Sequence, residues 1–419
     1  MELGLIVVLF VALIILGIPI AFAIGIAALI GISTISGIPN TVIPMKMFYG
    51  LNSYVLLAVP LFILTANLMN SGRISRKLID FSIALVGRKP GGLAHANVMV
   101  SMMFAGVSGS STADTAGVGK ILIPNMTKKG YSPEMAVGVT AASSTIGSII
   151  PPSITMVIYG GLTNTSVGQL FIGGLLPGLL IGFGMMALIS HFARKDGLPV
   201  ADKVSRSEFM ALLKDAIPAM ITPLIIIGGI VGGIYTPTEA AAFSAVYAYL
   251  ISAFYYKTIR LSDLPEIFID TLKLSCLSLF ALAAASALGE FLGYYRINSL
   301  VAEFFAGLGG NKYLFMFVVV LLFLFIGTFM DAIPAMVLFV PVVYPTALLL
   351  GVEPVQMGII VIITLSIGLI TPPYGLCLLI AGTIGGLPLN RSFSSVLPYI
   401  SVIILVLLAV IVFPFLLLV

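Results

Sequence analysis

Tryptophan is missing altogether, cysteine and histidine occur twice each, and only 9% of the 419 residues are charged. Each shortage excludes something. The two cysteines, Cys276 and Cys377, both lie in apolar runs. Cysteine there is a small packing residue, and neither a disulfide nor a metal site is expected. Two histidines, His95 and His191, are too few for a histidine-built transition-metal centre. A chain this poor in charge, 60% hydrophobic and with mean hydropathy +1.19, is not a soluble globular domain. The net charge of +4 is small, and no nucleic-acid partner is expected. The N-terminus MELGLIVVLF has Glu2 and no basic residue. It lacks the positive head of a cleaved signal and is expected to stay in the mature chain. Without tryptophan, any interfacial belt must come from Tyr and Phe.

What is abundant is apolar sequence. Runs near the ~20 residues that a helix needs to cross a bilayer recur from end to end. They place spans at 3–16, 20–35, 54–70, 134–163, 168–192, 217–234, 238–257, 265–290, 355–386 and 393–418. Two further regions, 93–124 and 313–350, have polar centres and read as re-entrant hairpins. Helical backbone stops at membrane depth only where protein or a water-filled cavity surrounds it. The fold class is an all-α polytopic membrane protein.

Charge bias sets the orientation. Arg73, Arg76, Lys77, Arg88, Lys89, Lys128 and Lys129 flank the first hairpin. Arg194, Lys195, Lys203, Arg206 and Lys214 fill the central loop, and Lys257, Arg260 and Arg391 fall in two more. These face the cytoplasm by the positive-inside rule. Lys46, Arg296 and Lys312 fall on the opposite side, while Lys120 and Lys273 lie within apolar runs. The first hairpin therefore enters from the cytoplasm. The second, flanked by Arg296, Lys312, Glu303 and Glu353, enters from outside. The side that holds the N-terminus depends on whether Gly17–Pro19 is a turn or a kink.

Opposed hairpins suggest an inverted repeat. TIGSIIPPS (145–153) and SIGLITPPY (366–374) share [ST]-Ile-Gly-x-Ile-x-Pro-Pro at an offset of 221 residues. Asp114 and Asp331 are offset by 217, and Pro19 and Pro237, in GIPIAFA and IYTPTEAAAF, by 218. The expected organisation is an N-terminal repeat 1–192, a cytoplasmic connector 193–216 and a C-terminal repeat 217–419. Each repeat holds a pair of spans, a third span, a hairpin, a broken span and a final span.

Pro151-Pro152 and Pro372-Pro373 each remove two backbone donors inside a span, and Gly147 and Gly368 loosen the same turns. Each span should become two half-helices. The second would begin at Ser153 or Tyr374 with unpaired N–H groups at a positive dipole end, and the first would end in carbonyls that suit a cation. Paired discontinuous helices of this kind hold the binding site of secondary transporters. Asp114 and Asp331 cost about 2.5–3.5 kcal/mol each at bilayer depth, which a bound Na⁺ or proton would offset. Oxygen-only surroundings favour a hard cation. Ser108, Ser110, Ser111, Thr112 and Thr115 could contribute at the first tip, and Thr328 and Thr371 at the second. The other reading of each Asp is a cap on the second helix of its hairpin.

Other features carry less. GVGKI around Lys120 lacks the first Gly and the Ser/Thr of a phosphate loop; Lys120 is expected to face a cavity or pair with an acid. Glu239 and Glu290 sit at span ends, exposed or paired. GVSG (106–109) matches the Gly-x-Ser-Gly of intramembrane serine proteases, but neither His95 nor His191 is placed as a base for Ser108. A channel usually gains its pore from rings of identical subunits, whereas an inverted repeat in one chain favours alternating access. The chain is not expected to be an enzyme.

The chain resembles the large membrane subunit of tripartite ATP-independent periplasmic (TRAP) transporters. The resemblance rests on GLNSYVLLAVPLFILTANLMNSG (50–72), FAGVSGSSTADTAGVGKILIP (104–124), GGIYTPTEAAAF (232–243) and the two proline-break motifs. It implies a Na⁺-driven importer of organic acid anions in the bacterial inner membrane. It also implies two partners: a periplasmic substrate-binding protein and a separate small four-helix membrane subunit, since no such segment precedes Met1. No cofactor is implied beyond the coupling Na⁺. The implied fold is an elevator: hairpins and broken helices form a transport domain that slides against a scaffold of the remaining spans. One Na⁺ would lie between Ser108, Gly109, Ser110, Ser111 and Asp114 of the first tip and Gly147, Ile150 and Ser153 of the first break. The other would lie between Gly327, Thr328 and Asp331 of the second tip and Gly368 and Thr371 of the second break. Substrate would sit between the tips, near Ser111, Thr112, Ser153, Tyr374 and Ala332. The first tip is rich in hydroxyls and the second has one Thr, so the sites are not equivalent. A one-component carboxylate carrier, Na⁺- or H⁺-coupled, of the same hairpin plan is the alternative.

Overall fold

A computed structural model describes residues 2–35, 38–72, 74–200 and 204–418. Arg73 and Lys203, two of the residues assigned to the cytoplasmic face, lie outside the described residues, as do positions 201 and 202 of the expected connector. Nineteen α-helices run along the described chain. The first five are α1 (Glu2–Ile15), α2 (Ile20–Ser33), α3 (Val42–Leu51), α4 (Ala58–Ser71) and α5 (Ile74–Val86). Then come α6 (Gly92–Ser108), α7 (Ser111–Lys128), α8 (Pro133–Ser144), α9 (Ile154–Thr163) and α10 (Val167–Asp196). The next five are α11 (Arg206–Val231), α12 (Pro237–Leu250), α13 (Leu264–Tyr294), α14 (Ile297–Gly307) and α15 (Lys312–Gly327). The last are α16 (Ala332–Leu349), α17 (Pro354–Gly368), α18 (Leu376–Gly385) and α19 (Leu389–Val412).

Local chemistry sets the boundaries. Ser132, Ser153, Ser166 and Ser205 each accept a hydrogen bond from the N3 amide of the helix they open, and Asn311 does the same for α15. Such caps satisfy amides that a helix start leaves free. At α12, Thr236 and Glu239 form a reciprocal capping box behind Pro237. Glu239 is thus a structural cap, and Glu290 forms an ion pair with Lys46 at 2.9 Å. Gly17 takes φ +80°, and α2 packs back on α1, so Gly17–Pro19 is a turn between two helices.

Among the described residues six helices are long and apolar enough to cross a membrane; they lie within 54–71, 167–195, 206–231, 261–294, 332–349 and 389–412. The helices that break mid-way behave differently. The 93–124 region is the pair α6 and α7, parted at Gly109–Ser110. Tyr131 just past α7 accepts a hydrogen bond from the amide of Leu93 at the start of α6, so the arms run antiparallel. The 313–350 region is α15 and α16, parted at 328–331. The span at 134–163 is interrupted after Ser148 and that at 355–386 after Gly368. The half-helices α9 and α18 have 10 residues each, about 15 Å of rise, or half the hydrocarbon thickness.

Four features differ from the sequence expectation. First, α5 and α14 are short helices just before each hairpin. At 13 and 11 residues they are too short to span, and Arg76, Lys77 and Asp80 or Glu303 break their apolar runs. Second, α10 extends to Asp196 and α11 begins at Arg206, so most of the expected connector 193–216 is helix. Third, the second half-helix of the later break starts at Leu376 rather than Tyr374, because Gly375 takes φ +42° immediately before it. Fourth, the resemblance leaves the spans at 168–192 and 393–418 to the scaffold, but α10 and α19 pack on the broken helices. α19 lies along α8, α10, α17 and α18, and α10 lies along α6 and α17. Arg391 at the start of α19 is ion-paired with Glu134 at the start of α8. Around this block, α13 packs along α2, α3 and α4, and α12 along α4 and α11.

Gly327 and Gly368 meet backbone to backbone in the hairpin block. A methyl group on Gly368 would sit 2.7 Å from the Gly327 backbone, with no flexible side chain to yield. Gly368→Ala is expected to cost roughly 1–3 kcal/mol through overpacking. Gly289→Ala, which points into open space, is the control. Thermal unfolding of the purified chain should show a lower midpoint for the first variant and an unchanged or higher one for the second.

Candidate functional site

The first hairpin turns at Gly109, whose φ of +61° suits glycine. A Cβ there would also meet the carbonyl of Pro152 at 2.7 Å. The turn is pressed against the first break. The Ile154 amide, first of α9, donates to the Gly109 carbonyl at 3.2 Å. The second hairpin repeats this contact: the Tyr374 amide donates to the Thr328 carbonyl at 2.8 Å. The donors freed by each proline pair are therefore not all unpaired as expected; the facing tip takes one, and Ser153 Oγ accepts another from the Met156 amide at 3.3 Å. In the second break, the Cys377 and Leu378 amides both reach the Leu369 carbonyl.

Asp114 is fully buried, at 0% exposure. It is not the cap of α7, because Ser110 holds that position and accepts from the Ala113 amide. Its Oδ1 instead accepts a hydrogen bond from Ser108 Oγ, and its Oδ2 has no partner. Oδ2 faces Gly147, where any Cβ would collide with it. Glycine at 147 is thus needed to admit the carboxylate beside the break. Asp331 stands at the N-cap position of α16, yet its side chain makes no cap hydrogen bond.

A cavity of about 50 Å³ lies between the two tips, room for a few waters. Ser110, Ser111 and Thr112 of the first tip, Asp331 and Ala332 of the second, and Ser148 and Thr155 of the first broken span line it. Of the residues expected to meet substrate, Ser111, Thr112 and Ala332 are brought together here. Ser153 is wholly buried behind them, donating to the Ser148 carbonyl at 2.7 Å. Tyr374 is 40% exposed and outside the lining. Among the residues expected to hold cations, Ser108, Gly109, Ser110, Ser111, Asp114 and Gly147 gather at the first tip. Ile150 packs its side chain against Gly178, leaving its backbone as the only polar part. Gly327 and Gly368 touch; Thr328 Oγ1 donates to the Phe325 carbonyl and Thr371 Oγ1 to the Ile367 carbonyl. Both hydroxyls of the second site are thus engaged within their own turns.

Sequence reasoning missed the residues that tie the two broken spans together. Ser148 Oγ pairs with Ser366 Oγ at 2.7 Å and accepts from Ser111 Oγ at 3.0 Å. A hydroxyl seam continues along α8. Thr115 donates to Ser144 at 2.6 Å, Ser101 to Ser143 at 2.9 Å and Asn97 to Thr140 at 2.6 Å. The signal was TAASST at 140–145, a polar run inside an apolar span. Ser108 has no histidine partner: His95 meets Ser190 at 3.3 Å, and His191 stacks edge-on with Phe192. Among the described residues no cluster of His, Cys, Asp and Glu could hold a metal ion.

Removing one hydroxyl of the Ser148–Ser366 pair leaves the other buried with fewer partners, at a cost of about 1–3 kcal/mol. Ser148→Ala and Ser366→Ala should each lower the thermal midpoint, and the double variant should lose less than the sum. Strict additivity would show that the pair does not couple the two broken spans.

Over residues 7–416 the sequence matches the family described as tripartite ATP-independent periplasmic transporter, DctM component. It is 38% identical to the C4-dicarboxylate TRAP transporter large permease protein DctM of Pseudomonas aeruginosa, over 90% of this chain and 88% of that protein. It is 37% identical to the sialic acid TRAP transporter large permease protein SiaM of Vibrio cholerae, over 88% and 86%. Its fold is similar to that of the Alcanivorax borkumensis YdaH transporter, with a TM-score of 0.59 at 16% identity, covering 89% of this chain and 87% of that one. The chain belongs to the DctM component family of TRAP transporters: it is a multi-pass large permease subunit of the inner membrane, not an enzyme.

Proposed function

We propose that this chain imports organic acid anions by coupling their uptake to inward Na⁺ flow. Large permeases of this family work with a small membrane subunit and a periplasmic binding protein. In this reading the binding protein delivers the anion to the hairpin tips, and the small subunit extends the outer helices. The observation that carries the reading is Asp114: wholly buried, with one carboxylate oxygen unpartnered. An isolated carboxylate oxygen at that depth is costly. Na⁺ beside it, amid hydroxyls and carbonyls only, offsets the cost. Ser108, Ser110 and the backbone at Gly147 are the groups nearest to hand. Asp331, with its uncapped carboxylate, serves the second cation with carbonyls released at 368–371.

The cargo sits in the cavity between the tips, where hydroxyls of Ser111, Thr112 and Thr155 suit a carboxylate. The C4-dicarboxylate and sialic acid named for the two relatives both carry carboxylates, which supports this class of cargo. The cavity is too small for a whole organic acid, so the tips separate to load it. The packing of α10 and α19 on the hairpins and broken helices supports an elevator in which this block moves as one body against α1–α4 and α11–α13. Pro19 and Pro237 then open equivalent helices of two inverted repeats, 1–192 and 217–419.

A ligand of the folded state alone stabilises it by RT ln(1 + [L]/Kd). Thermal unfolding of the purified chain should therefore rise saturably with NaCl but not with KCl or choline chloride at equal ionic strength. Asp114→Asn should weaken the rise and abolish Na⁺-driven uptake by the complete three-component transporter. No Na⁺-specific shift, with uptake driven by a pH gradient, would replace Na⁺ by H⁺. Robust uptake without a binding protein would make the chain a one-component carrier.

A further inference from the structure

The two faces of α7 do different work. One presents Ser111, Asp114 and Thr115 to the broken helix α8. The opposite face, Ala113, Ala116, Gly117, Lys120 and Ile121, lines an open cleft of about 530 Å³. The facing wall is Asn70 at the end of α4 with Ser75 and Arg76 at the start of α5. Small residues on α7 keep that cleft open: a Cβ on Gly117 would come no closer than 3.9 Å to Asn70.

Three observations give the cleft a direction and a ligand class. It begins beside the first tip, since Ala113 follows Thr112, which lines the cavity between the tips. It runs towards Lys128 and Lys129, on the side the charge bias assigns to the cytoplasm. It also carries one cation on each wall. Lys120 has no ion-pair partner among the described residues. Arg76 has none either, although Asp80 one turn along α5 lies close enough to feel its charge. No acidic side chain lines the cleft. Asn70 and Ser75, hydrogen-bonded to each other at 2.9 Å, add polar groups to the wall that carries Arg76.

We infer that this cleft is a cytoplasm-side anion site, in which Arg76 and Lys120 hold the carboxylate of the cargo as it leaves the hairpin tips. Two cations on facing walls of an open cleft attract an anion from a distance without enclosing it, which suits release rather than capture. Arg76 sits on α5, outside the hairpin, and Lys120 on the hairpin itself. Movement of the hairpin block would therefore separate the pair and dismantle the site. The inference rests on the organic-anion reading, and its test separates the two.

The first measurement needs no knowledge of the cargo. Lys120→Cys is made in a Cys276→Ser background, leaving only the buried Cys377. The purified chain is then reacted with the anionic sulfonatoethyl methanethiosulfonate and with its cationic trimethylammonioethyl counterpart. Adding Arg76→Gln should lower the anionic-to-cationic rate ratio roughly fivefold, as expected for a charge across a wet cleft. An unchanged ratio means the two positions share no field, and the proposal is overturned. The second measurement uses the complete transporter in vesicles, with succinate or N-acetylneuraminate as cargo. Arg76→Gln and Lys120→Gln should each raise several-fold the internal concentration that half-inhibits uptake, with the Na⁺ dependence unchanged. Unchanged internal half-inhibition overturns the proposal. So does an effect seen only in vesicles containing phosphatidylglycerol and absent in pure phosphatidylcholine, since the pair would then hold a lipid headgroup. If the wild-type transporter moves neither cargo with Na⁺, it is the organic-anion reading that fails, and the thiol rates still decide whether the anion site exists.

Discussion

Hydrocarbon supplies no hydrogen bonds, so every interrupted helix in this protein needs a protein partner for its loose backbone. That constraint organises the hairpin block. Each proline pair stops a helix at mid-depth, and in each case the carbonyl at a hairpin turn accepts an amide just beyond the break: Gly109 from Ile154, two residues past Pro152, and Thr328 from Tyr374, next after Pro373. A break and a tip are therefore one unit, and neither is stable at that depth without the other. The glycines follow from the same need. Gly109 lets its turn come within reach of Pro152, and Gly327 and Gly368 let the second pair meet backbone to backbone.

Once the breaks are satisfied by carbonyls, the remaining polar atoms stand out. Most buried hydroxyls are used up along α8 and in the Ser111–Ser148–Ser366 chain. Asp114 keeps one oxygen unused although its neighbours are rich in donors. Among the described residues, His95 Nδ1 and the hydroxyls of Thr222, Thr346 and Ser392 are also buried without a partner, but Asp114 Oδ2 is the one carboxylate oxygen in that group, and so the costliest to leave unpaired. The two tips differ in this respect. The first has a carboxylate sunk behind hydroxyls; the second has Asp331 at a helix start, lining the shared cavity.

The chain divides by packing, not by sequence halves. α10 and α19 end their respective halves, and both lie against the broken helices, whereas α13 gathers α2, α3 and α4 around itself. α5 and α14 each join the outer helices to a hairpin. At 13 and 11 residues both are too short to cross the membrane, and Arg76 on α5 lines the cleft beside α7.

The sequence by itself determined the membrane class, the two proline breaks, the two polar tips and the family. These follow from local rules: apolar length against bilayer thickness, proline against helix, charge against hydrocarbon. It also singled out Asp114, whose cost at that depth is visible in one residue. Only the tertiary structure decided which groups answer the breaks, because Ser148 meets Ser366 across 218 residues of chain and neither carries a sign of the other. Likewise α5 and α14 escaped notice, being too short and too charged for a span rule, and α10 and α19 were placed by their neighbours rather than by their composition. Lys120 read as ambiguous in the sequence, since its role depends on the wall opposite, and that wall is set by how α4, α5 and α7 pack.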